Sequence, residues 1–128
     1  MTTMKTTEDG PDWDPIRALA RQVLRDGAPL VLDDDVRDLL RRTAREVALS
    51  DADVSTDAGA LAVLRECSRR ITEGSNRLGD ALHRMYRHRE AGDYDSARQE
   101  MRDVLSVEVV PLYREIAQGQ LAAMATDG

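Results

Sequence analysis

The chain has 128 residues, a formal net charge of −6 and a single cysteine, Cys67. That length fits one domain able to bury roughly two-thirds of the surface its unfolded chain exposes. The lone cysteine excludes an intramolecular disulfide, the acidic balance argues against nucleic-acid backbones as partners, and no apolar run approaches the roughly 18 residues of a membrane span.

Residues 1–11 are polar and read as a disordered arm ahead of a single helical domain over 12–126. With one basic residue and no apolar core, the N-terminus does not read as a secretory signal, and the expected location is the cytoplasm. Asp14-Pro15 reads as a helix cap followed by proline at the first helical position. Ile16, Leu19, Ala20, Val23 and Leu24 then fall at helical spacing up to a stop at Gly27. Asp33-Asp34-Asp35 opens a second helix, with acids at the positive end of its dipole and apolar residues at Val36, Leu39, Leu40, Ala44 and Val47. It runs to about Leu49.

Thr56-Asp57 opens the longest helix, which extends to about Ala91. Leu64, Ile71, Leu78 and Met85 recur every seven residues, beside a small-residue stripe of Ala60, Cys67, Gly74 and Ala81. Large residues beside small ones let a partner helix approach closely. Glu66–Arg70, Glu73–Arg77 and Asp80–Arg84 each place an acid four residues before a base, the spacing of a solvated helix face. Gly74 and Gly79 each cost about 1 kcal/mol of helix propensity, which packing must offset or the helix must break. Gly92-Asp93 is a stop followed by a new cap. A last helix then carries Tyr94, Ala97, Met101, Val104, Leu105, Val109, Leu112 and Ile116, with a kink expected near Pro111, and continues to about Ala125. So short a connection makes the third and fourth helices antiparallel neighbours. The expected fold is all-α: a long antiparallel helical hairpin with two shorter N-terminal helices, like a four-helix bundle.

Of the 18 basic residues only Lys5 is a lysine, a bias that fits a GC-rich bacterial genome. The stretch from Gly92-Asp93-Tyr94 through Ala97 and Met101 resembles the turn and second helix of a tetratricopeptide repeat. It occurs once, without a 34-residue period, and reads as hairpin chemistry. A second resemblance covers nearly the whole chain. Trp13-Asp14, Ala18 to Leu24, Leu39 to Ala44, Arg84 to Tyr94 and Val107 to Ala117 resemble the DUSAM-domain family, a bacterial family of uncharacterised function. The resemblance implies one bacterial helical domain and brings no catalytic residues.

Reactive groupings are sparse. Asp33 to Asp35 cannot converge on one ion, because consecutive helical residues point about 100° apart. Asp51, Asp53, Ser55 and Asp57 alternate like a calcium loop, but Thr56 and Ala62 stand where such a loop needs glycine and glutamate. His83 and His88 are five residues apart and share no helix face, and Cys67 has no identifiable base. Neither a cofactor nor a metal is implied. The remaining candidate is Arg84, Arg87 and His88, on one face at the C-terminal end of the third helix, flanked by Tyr86 and Arg89. Such cations complement the helix dipole or grip an anion or an acidic partner. Arg41, Arg42 and Arg45 form a second basic cluster, with Asp38 and Glu46 within reach. These features point to a non-enzymatic cytoplasmic module acting on a protein partner or its own copy. The alternative is a sensory bundle that binds an anionic small molecule through Arg84, Arg87 and His88.

Overall fold

The computed structural model describes residues 10–126, so most of the expected 1–11 arm lies outside the described residues. Among these residues every regular element is helical: α1 (Asp14–Ala20), α2 (Asp34–Glu46), α3 (Asp57–Glu90), α4 (Tyr94–Val107) and α5 (Pro111–Ala123). They divide into two compact units between Arg69 and Arg70, inside α3.

In the first unit, α1 starts one residue earlier than its sequence suggests. Asp14 is already helical behind Trp13, and Asp12 accepts the Asp14 N–H at 3.1 Å. After Ala20 the helix widens into a π-helical turn, Arg21–Arg25. Asp33 caps α2 by accepting the Val36 N–H at 2.8 Å. The helix ends at Glu46, short of Leu49, because Ala48 adopts a left-handed φ of 60°. The Leu49 N–H then returns to the Ala44 carbonyl at 2.8 Å, which satisfies a carbonyl the helix end would otherwise leave open. Trp13 is buried, and its indole N–H donates to Glu46 Oε1 at 3.1 Å. Arg37 Nε donates to the Val54 carbonyl at 3.3 Å and ties α2 to the loop before α3. Ile16, Leu40, Ala44, Val47, Val63 and Leu64 are buried here. So is Thr43, whose hydroxyl has no hydrogen-bond partner.

Thr56 caps α3, its hydroxyl accepting the Gly59 N–H at 3.0 Å. The helix runs uninterrupted through both Gly74 and Gly79. Its two predicted stripes are buried throughout: Leu64, Ile71, Leu78 and Met85, and Ala60, Cys67, Gly74 and Ala81.

In the second unit α3 packs against α4 and α5. Gly92 has φ +78°, a conformation open to glycine without steric cost, and the Asp93 N–H closes the helix end on the His88 carbonyl at 2.8 Å. Asp93 then caps α4 through the Ser96 N–H at 3.0 Å.

The expected kinked fourth helix is instead two helices. α4 stops at Val107, Glu108 and Val110 are extended (ψ 134° and 120°), and Pro111 begins α5. Two steric facts produce the break. Proline has no N–H and its ring collides with the carbonyl four residues back, here Val107. It also drives the residue before it out of the helical region. The β-branched run Val107, Val109 and Val110 adds to that preference.

Two arginines of the acid–arginine ladder on α3 have partners that the local spacing did not indicate. Arg77 pairs with Glu108 at 2.7 Å and Arg84 with Glu100 at 2.9 Å, both on partners beyond α3. Glu66 binds Arg69. Both carboxylates are largely shielded from solvent, where a charge-assisted bond is worth more than one between exposed groups.

Candidate functional site

The second unit holds two polar constellations, one at each end of the α3–α4 pair. At the turn end, α3 carries Arg84 and His88 one turn apart, and both face Glu100 of α4. Arg84 Nε donates to Glu100 Oε1 at 2.9 Å, and His88 Nε2 lies 3.4 Å from Glu100 Oε2. The Glu100 side chain is only 18% exposed, so this carboxylate fills the position an external anion would take. Arg87 is exposed on the outer side of α3. Of the three candidate residues, the structure brings Arg84 and His88 together and leaves Arg87 apart. Beside them, hydrogen bonds from the Ser96 hydroxyl and then the Ser96 amide hold the Asp93 carboxyl below its ordinary range, and the nearby His88 adds to the shift.

The corner end is built on Glu108, whose side chain is 1% exposed. One oxygen accepts Arg77 Nη1 at 2.7 Å, and the other accepts the Val109 and Val110 N–H groups at 3.1 and 3.0 Å. These are backbone donors at the start of α5, which no helical carbonyl can satisfy. Arg114 Nη1 binds the carbonyls of Leu105 and Glu108 at 2.7 and 2.9 Å, closing the last turn of α4. Tyr113 is buried, and its hydroxyl donates to the Ile71 carbonyl at 2.9 Å. Its ring lies over Gly74, where an added Cβ would stand 2.5 Å from Tyr113 Cδ2 and 2.9 Å from Glu108 Oε1. Gly74 therefore repays its helix cost through close packing. Gly79 faces open space, and nothing in the structure explains it. Outside this corner, Val107 is 58% exposed and Val109 48%.

Sequence reasoning missed Glu100 and Glu108. A signal for Glu108 was present: an acid at the third position before a helix-starting proline can reach that helix's free N–H groups. Nothing local marks Glu100, because its partners are on another helix.

The other candidates resolve into structure. Arg41 pairs with Asp38 at 3.2 Å and Arg42 with Glu46 at 3.9 Å, along an open groove of about 430 Å³ that Arg45 and Asp35 also line. Asp53 is satisfied within its own loop, the Ser55 hydroxyl and then the Ser55 amide lowering its pKa. Cys67 is fully buried. Among the described residues no group of three or more His, Cys, Asp or Glu is placed to hold a metal.

Residues 11–124 match the family described as Protein of unknown function (DUF2379). The chain belongs to this family. The DUF2379 match starts just before α1 and ends at Met124, the C-cap of α5, so it takes in every helix, both polar constellations and the Val107–Val109 corner. Comparison with curated proteins and with solved structures gives no match. No helix of this DUF2379 chain among the described residues is long and apolar enough to cross a membrane.

Proposed function

We propose that the protein is a non-enzymatic, cytoplasmic interaction or regulatory module, and that the corner between α4 and α5 is its contact surface for a protein partner or a second copy. The observation that carries this reading is the contrast at that corner. Glu108 is buried and held by three donors, while the adjacent Val107 and Val109 face outward. Exposed β-branched side chains on a pinned backbone lose little conformational entropy on docking, which favours association. Arg84 and His88 are engaged in joining α3 to α4 through Glu100, and Asp53 is engaged within its own loop, which supports a role without catalysis. The same occupation weighs against the anion-sensor alternative, since Glu100 already engages Arg84 and His88.

The DUSAM-like segments, Trp13-Asp14 through Ala117, lie inside the DUF2379 match. The bacterial origin is inferred from the DUSAM-like segments themselves.

The test is sedimentation velocity on the full chain together with a photo-crosslinker placed at Val109. A defined crosslink to one protein or to a second copy, abolished by Val107→Asp without a change in the circular-dichroism melt, is the expected result. A strict monomer that crosslinks to nothing in cell extract sinks the proposal.

A further inference from the structure

We draw no further inference here: the strongest candidate, the exposed Val107 and Val109 patch at the α4–α5 corner, already carries the proposed function, and nothing in the structure shows what covers it.

Discussion

Gly74 and Gly79 lie five residues apart in one helix, and alanine should act on them with opposite signs. In a helix interior, glycine to alanine gains about 1 kcal/mol from backbone entropy alone. At Gly79 an added methyl meets nothing within 4 Å, so Gly79→Ala should stabilise by nearly that full amount. At Gly74 the methyl would sit 2.5 Å from Tyr113 Cδ2 and 2.6 Å from Cε2, about 1 Å inside ordinary carbon–carbon contact. The ring cannot retreat freely, because its hydroxyl is bonded to the Ile71 carbonyl. Overpacking costs about 1–3 kcal/mol, and loss of the tyrosine hydrogen bond costs about 1 more. Set against the propensity gain of about 1 kcal/mol, Gly74→Ala should destabilise by about 1–3 kcal/mol. Urea denaturation followed by circular dichroism measures both changes from the midpoint at constant slope. A third variant isolates the cause. In a Tyr113→Leu background, where the ring edge is gone, Gly74→Ala should become neutral or stabilising. If Gly74→Ala stabilises the wild-type chain, or stays equally harmful without the ring, the close-packing account of α3 is wrong.

Three other perturbations probe the remaining features. Glu108→Ala leaves the Val109 and Val110 N–H groups without their acceptor and Arg77 without its partner, and should cost about 2–4 kcal/mol in the same urea assay. Glu108→Gln keeps an acceptor and should cost less, so equal losses would contradict the assigned hydrogen bonds. Thr43→Val replaces a buried hydroxyl that has no partner with a methyl, and should stabilise by about 1 kcal/mol in a thermal melt. A loss of stability would mean the hydroxyl is bonded after all. Asp93 has a lowered pKa in the fold, so its cap on α4 contributes fully above the ordinary carboxylate value of 3.8 and fades as pH falls through the folded value. The melting-temperature gap between wild type and Asp93→Ala should therefore narrow on acidification, and a gap independent of pH would refute an ionised cap.

Much of this architecture is legible in the sequence because it is written in short-range terms. The seven-residue recurrence of Leu64, Ile71, Leu78 and Met85 marks the buried side of α3 without reference to any partner. Asp33, Thr56 and Asp93 announce their helices because capping acts over three residues. The fate of Pro111 is not written locally. Whether a proline kinks a helix or starts a new one depends on what satisfies the backbone donors that are set free, and here that is a carboxylate pinned by Arg77 from α3. The same limit applies at the candidate site. Arg84 and His88 are recognisable as a basic cluster from their spacing, but Glu100, which decides what that cluster does, belongs to the next helix. Ala48 escaped for a different reason: its left-handed backbone closes α2 without the glycine that normally signals such an end.

The seating of Tyr113 over Gly74 ties two distant positions into one evolutionary unit. A relative that enlarges the residue at position 74 must shrink the one at position 113, so these columns should vary together across the family while each looks rigid alone. The carboxylate at 108 belongs to the same linked set, since it borders the same glycine. An acid retained there in homologues would record a requirement of folding, although a retained buried glutamate beside an arginine is the pattern usually taken for an active site.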